Sequence, residues 1–443
     1  MTGSHDLVEG ARAAARAKDD ARMHDLGGQG LAHPGLSALD AVHLGIVLRD
    51  AHVFDLADAL FARAHAIDPG AIPPRYEHAL SLAAQGRHRE GIALLQAILG
   101  ERPDEVRTAL LLIRLLSSTG DRAAADAVVR GVPITAANLR EVRYLRVFGE
   151  FVAAFPAARA EALIEEVERR YRRCDHYEVM AELREAKRAR APYALLRLGD
   201  GEGSYTRLDL LDEARFADLY ADSRRQFYEI WFGTEANAYV GRFDDEARAL
   251  SRVTAEADML GLPIPNWVRH EYTTGSPRGI STLVNIYRQL AERGPGPNDQ
   301  RVCSQMIHLD LGQAGFFPGF LEGESIGLIS CFPQLPDQLM RAFGVASVEF
   351  HKLPGEQSFR HIIGEDAAEG FHYPDVFERV MGDLVGDHRG KIFLVAGGIL
   401  GKLYIGQIRR HGGIGIDIGS LADAWASKMT RPGYEDLKHL ALG

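Results

Sequence analysis

The sequence predicts two architectures in one chain: an all-α helical repeat in the N-terminal third, then an α/β domain with a mainly parallel sheet. Two observations carry this. Small and apolar residues recur with a fixed long period between residues 38 and 135. After Ala191, short apolar runs bounded by Gly or Pro alternate with longer amphipathic stretches. Such alternation belongs to a sheet whose two faces are both covered by helices. At 443 residues the chain has room for two or three domains. The expected division is a flexible segment over 1–37, repeats over 38–135, a helical connector over 136–190 and the α/β domain over 191–443.

The repeat is read from spacing. Pro69 and Pro103 stand 34 residues apart, as do Gly86 and Gly120. In the first unit, near residues 38–71, Leu44, Gly45, Leu48, Ala57, Phe61, Ala64 and Pro69 fall at consistent offsets. The second unit, near 72–105, carries Ala79, Leu82, Gly91, Leu95 and Pro103. A third begins near Val106 with Gly120, Ala125 and Val129, and ends early at Pro133. Small residues let paired helices approach, and large apolar ones fill the gaps between them. The period and the residue types resemble the tetratricopeptide repeat, in which each helix pair buries its face by stacking on the next. Ala41 stands where that pattern usually has tryptophan. Residues 1–37 are rich in Ala, Gly, His and charge, which predicts a mobile segment, with no apolar core of signal-peptide type. Residues 136–190 have helical periodicity and good helix formers.

Composition narrows the function. A net charge of −10 argues against nucleic acid as a partner. No apolar run approaches the ~20 residues that span a bilayer. Cys174, Cys303 and Cys331 are too far apart for a disulfide framework or a zinc pattern, and a cytoplasmic location is expected.

In the C-terminal part the apolar runs predict strands over 193–198, 325–330, 346–350, 392–396 and 414–418. Helices are expected over 278–293, 335–343, 374–385 and 400–411. Ligands of open α/β sheets bind at the carboxyl ends of the strands, and three strand ends are rich in Gly and charge. The first is Arg197-Leu198-Gly199-Asp200-Gly201-Glu202-Gly203. With an extended backbone, Asp200 and Glu202 point to one side, which suits Mg2+ or Mn2+. Arg197 suits a phosphate, and Gly199 and Gly201 permit close approach of a ligand. The second is the glycine loop with Gly397, Gly398, Gly401 and Lys402. Ala396 and Leu403 break the Walker pattern. What remains is a glycine turn at a helix N-terminus, which either attracts an anion or serves only as a tight turn. The third carries Asp417, which can meet a ribose, a metal or a substrate hydroxyl, and Ser420, read as an N-cap. His351 ends another strand and is a candidate base. His308 and Asp310 lie in an alternating apolar-polar stretch. Trp231, Trp267 and Trp425 either stack on ligand rings or pack in the core.

Taken together, R-L-G-D-G-E-G at 197–203, V-A-G-G-I-L-G-K at 395–402 and G-I-D-I-G-S-L-A-D-A-W-A at 415–426 resemble the GT-D class of bacterial glycosyltransferases. Order and separation agree over about residues 155–442. Leu198 stands where phenylalanine is usual. The resemblance implies a Rossmann-like fold and a nucleoside diphosphate sugar as donor, a UDP-sugar first. It implies a divalent cation served by Asp200 and Glu202, in a pocket shaped by Arg197, Gly199 and Gly201. The expected activity is metal-dependent transfer of a sugar to a glycan or protein acceptor that the repeats recruit. Asp417 and His351 are the candidate bases. A homo-oligomer stays open. So do a repeat scaffold with a non-catalytic nucleotide-binding domain and another phosphate-sugar enzyme.

Overall fold

The computed structural model describes residues 4–132, 139–206, 211–233, 240–295, 300–428, 430 and 434–442. The third repeat's end at Pro133 lies outside them. The chain divides into two compact units, one formed by Met1–Ala157 with Arg269–Ile280, the other by Ala158–Val268 with Ser281–Gly443. The break near Ala157 falls inside the segment expected to be a connector.

The first unit is a stack of helix pairs in strict phase. First helices start at Ser4, Ala38, Ile72 and Val106, and second helices at Asp20, Phe54, His88 and Arg122, each 34 residues after the last. The first helices Ser4–Ala17, Ala38–Asp50 and Ile72–Ala84 touch in turn, as do Asp20–Ala32 and Phe54–Ile67. The apolar and small offsets within the helices are mostly buried, with Ala41, Leu44, Leu48, Ala57 and Ala64 wholly inside, while Pro69, Gly86, Pro103 and Gly120 are exposed.

Residues 1–37 differ from their expected flexibility, because Ser4–Ala17 and Asp20–Ala32 form one further pair of the array. Leu7, Val8, Ala11 and Ala14 of one helix and Met23 and Leu26 of the other are buried in a common core with Leu44, Leu60 and Phe61. The Gly-rich composition that suggests mobility is a packing requirement instead. A Cβ on Gly30 would sit 2.4 Å from Leu44 Cδ2. Side chains of Asp19, Ser37 and Asp121 cap the helices that follow them.

The second unit is built on a seven-stranded sheet in the order β3-β2-β1-β7-β6-β4-β5. The strands are β1 Tyr193–Arg197, β2 Met259–Leu262, β3 Arg301–Ser304, β4 Ser325–Ser330, β5 Ser347–Lys352, β6 Ile392–Val395 and β7 Ile414–Asp417. Every pairing is parallel. β2, β6 and β7 are buried along their whole length; β2 and β6 are apolar throughout, and β7 ends in the ion-paired Asp417. Helices Pro277–Arg293, Leu335–Phe343 and Gly398–Arg410 stand where the amphipathic stretches predict them. Region 374–385 divides into a short helix, His372–Val376, and the helix Phe377–Asp383. β7, last in sequence, lies between β1 and β6. That insertion brings the three glycine-rich strand ends side by side.

Candidate functional site

The carboxyl ends of β1, β7 and β6 meet around one ammonium group. β1 ends at Arg197, and Leu198 N–H still bonds Gly261 O at 2.8 Å. The chain then turns into a single helical turn, Asp200–Gly203. Asp200 and Glu202 therefore do not share a side as an extended backbone requires. Two residues along a helical turn place them about 200° apart. Two close approaches explain the turn. A Cβ on Gly203 would meet Thr282 O at 2.1 Å, and one on Gly201 would meet Trp231 Cζ2 at 2.5 Å. These glycines fit the turn against the protein itself.

Glu202 points inward, 7% exposed. Its Oε2 accepts from Gly199 N–H at 2.9 Å, and its Oε1 pairs with Lys402 Nζ at 2.9 Å. Lys402 lies in the first turns of the helix Gly398–Arg410 and points back beneath its start. Its ammonium also meets Asp417 Oδ2 at 3.0 Å and donates to Gly398 O at 3.1 Å. Asp417, the last residue of β7, offers its other oxygen to Arg197 Nη2 at 3.1 Å. Gly419 makes room for that guanidinium: its φ is +37°, and a Cβ there would lie 1.8 Å from Arg197 Nη2.

The cluster continues to His308, which is 1% exposed and begins the helix Ile307–Gln313 just after β3. Arg197 Nη1 lies 2.9 Å from His308 Nδ1, and His308 Nε2 lies 3.1 Å from Ser420 Oγ. Arg197 Nη1 also lies 3.1 Å from His308 Nε2, so the guanidinium sits against both ring nitrogens. Burial, then the charges of Arg197 and Lys402, hold His308 well below its ordinary pKa, so the ring is neutral. Burial disfavours the charged forms of Lys402 and Asp417, but their partners outweigh it. Asp417 and Glu202 raise the ammonium, while Arg197 and Lys402 lower the Asp417 carboxyl. Two cations and two anions are thus locked together at the switch point of the sheet.

This arrangement corrects several expectations. Lys402 faces the protein interior. Ser420 makes no side-chain cap and turns to His308. Asp417 is ionised and both its oxygens are taken by Arg197 and Lys402, which makes it a poor proton acceptor. His351 is absent from the cluster. Register carries it through Ile329 and Val395 to Asp417, three strands away, about 14 Å. It bonds Glu349 Oε1 at 3.0 Å and lies 3.5 Å from Asp383 Oδ2. The histidine that the structure brings to the cluster is His308. Its signal was faint, because β3 is only four residues long and the 307–311 stretch is helical. Asp200 is half-buried and accepts from Gly201 N–H at 3.0 Å. Gly397 and Gly401 pack on each other, with a Gly397 Cβ position 3.2 Å from Gly401 Cα. Trp231 is half-buried and stacked on Phe227, with ring centroids 5.6 Å apart. It lies beside both Gly201 and Gly398. Trp425 belongs to the core.

Residues 82–146 match the family profile of the tetratricopeptide repeat. The N-terminal part of the chain is thus a helical repeat region, and the C-terminal part an α/β unit. A search of curated proteins finds no match to the chain. Among the described residues no helix is long and apolar enough to cross a membrane.

Proposed function

We propose that the α/β unit is a glycosyltransferase using a nucleoside diphosphate sugar, and that the repeats engage the glycan or protein acceptor. The observation that carries this reading is the convergence of three motifs far apart in sequence at the carboxyl ends of adjacent central strands. That is where α/β sheets bind nucleotides. The diphosphate sits at the N-terminus of Gly398–Arg410, where first-turn N–H groups lack helical partners. Trp231, half-buried beside Gly398 and Gly201, offers a flat face for a base or sugar ring. As the glycosidic bond breaks, charge grows on the leaving diphosphate. Fixed donors aimed at that charge are commonly worth ~3 kcal/mol each in transition-state stabilisation. The salt-bridged cluster beneath holds the donors in place without reorganisation.

The implied divalent cation meets an obstacle. Glu202 and Asp200 diverge around the turn. Both Glu202 oxygens and both Asp417 oxygens already face cationic or N–H partners. No group of three His, Cys, Asp or Glu side chains among the described residues is arranged to hold a metal. The acidic pair as arranged does not fit that ion.

Incubation of the protein with a panel of nucleotide sugars, followed by product analysis, tests the reading. Release of the nucleoside diphosphate supports it. Saturable nucleotide binding without turnover would leave a nucleotide-binding scaffold, and release of a sugar phosphate would point to a different phosphate-sugar enzyme.

A further inference from the structure

We infer that Lys402 is the resident cation of this site, filling the place between Glu202 and Asp417 that a divalent ion would need. Three oxygens surround its Nζ: Glu202 Oε1 at 2.9 Å, Asp417 Oδ2 at 3.0 Å and Gly398 O at 3.1 Å. An ammonium has three donors, and all three are used. The distances are those of N–H···O bonds, well beyond the 2.0–2.1 Å that Mg2+ demands. The three oxygens come from the turn after β1, the end of β7 and the start of Gly398–Arg410. One side chain thus ties together every strand end of the site. Charge balance points the same way. Arg197 and Lys402 offset Glu202 and Asp417, so a dication entering here would meet no uncompensated carboxylate and would have to expel a tethered ammonium.

Glu202 is then a positioning residue. It fixes the turn through Gly199 N–H on one oxygen and Lys402 on the other. Resting on the glycosyltransferase reading, the nucleotide half of the inference is that the donor binds with no metal held at Glu202 or Asp417. The half concerning the cation stands on the geometry alone.

Titration of the full chain with Mn2+, followed by electron paramagnetic resonance, separates the two. The wild type is expected to show no one-to-one Mn2+ site that depends on Glu202. Lys402→Ala, which leaves two carboxylates and a carbonyl around a void, is expected to bind Mn2+ at least about tenfold more tightly than wild type. The double variant Lys402→Ala/Glu202→Gln should lose that gain. A stoichiometric wild-type Mn2+ site abolished by Glu202→Gln overturns the inference. Because Lys402→Ala can fail to fold, the wild type is also titrated with UDP in EDTA and in Mn2+. Equal affinity supports the inference, and affinity at least about tenfold higher in Mn2+ overturns it. If UDP binds in neither condition, the glycosyltransferase reading fails, and the Mn2+ titration of the wild type still judges the role of Lys402.

Discussion

Replacing Lys402 by methionine keeps the stem and removes the ammonium. Lys402 and Asp417 side chains are 6% and 5% exposed, and that of Glu202 is 10%. The variant therefore leaves two carboxylates buried beside a single guanidinium. Removing one partner of a buried ion pair costs ~3–5 kcal/mol, mostly through the charge left behind. In a unit of this size each kcal/mol moves the melting temperature by roughly 2–4 °C, so a fall of roughly 6–20 °C is expected. The chain's three tryptophans, Trp231, Trp267 and Trp425, all lie in the second unit. Trp231 and Trp425 report on that unit, while Trp267 stands on the helix Pro265–Thr274 that crosses its boundary. The pH dependence has a definite sign. Lys402 helps Arg197 hold the Asp417 carboxyl below its ordinary value. The stabilisation that the ammonium gives this pair is therefore present near neutral pH and is lost as pH falls toward the lowered folded value of Asp417. The gap between wild type and variant should narrow in acid. In a double-mutant cycle with Glu202→Gln, the coupling should be ~1–3 kcal/mol. A melting temperature within about 2 °C of wild type, or a pH-independent gap, would refute the claim that the ammonium compensates these carboxylates.

Four further outcomes follow from the same geometry. Asp417 is held below its ordinary carboxyl value by Arg197 and Lys402 against the opposing effect of burial. Its contribution is therefore present above about pH 4 and lost as pH falls through the lower folded value. Asp417→Asn should flatten the acid limb of tryptophan-monitored unfolding. Gly203→Ala forces a methyl to within 2.1 Å of Thr282 O and should destabilise the second unit by ~1–3 kcal/mol or more in denaturant titrations. Phe61→Ala empties a 1%-exposed position in the repeat core, and helix loss at 222 nm should show a cost of ~3–5 kcal/mol. His351→Ala should leave nucleotide affinity unchanged in calorimetry, because that ring is three strands from Asp417; a tenfold loss, ~1.4 kcal/mol, would return it to the site.

The sequence was most legible where burial leaves an unambiguous pattern. Strands β1, β4, β6 and β7 are apolar runs ended by Gly or polar turns, and their positions follow directly. β2 and β3 are four residues each, and Met259-Leu260-Gly261-Leu262 and Arg301-Val302-Cys303-Ser304 are too short to carry periodicity. The middle repeats stand out by offset. The first pair hides because alanine and glycine at helix contacts have the composition of a loose tail. The motifs at 197–203, 397–402 and 415–420 were visible one by one, but their meeting depends on β7 inserting between β1 and β6, a topological fact that no local pattern encodes. The direction of Glu202 was misread for a local reason. Gly199 N–H and Lys402 favour a helical turn whose carboxylate folds inward, while the D-x-E spacing read as a strand puts Glu202 on the same side as Asp200. His308 enters through Arg197, a tertiary contact with no signature in its own neighbourhood.

The β1, β7 and β6 strand ends form the proposed nucleotide-sugar site. Its most direct test is calorimetric titration of the intact chain with UDP, repeated with Trp231→Ala. One-to-one binding to the wild type, weakened at least about tenfold in the variant, is the predicted result. Absence of binding by the wild type, or equal binding by both proteins, would contradict it.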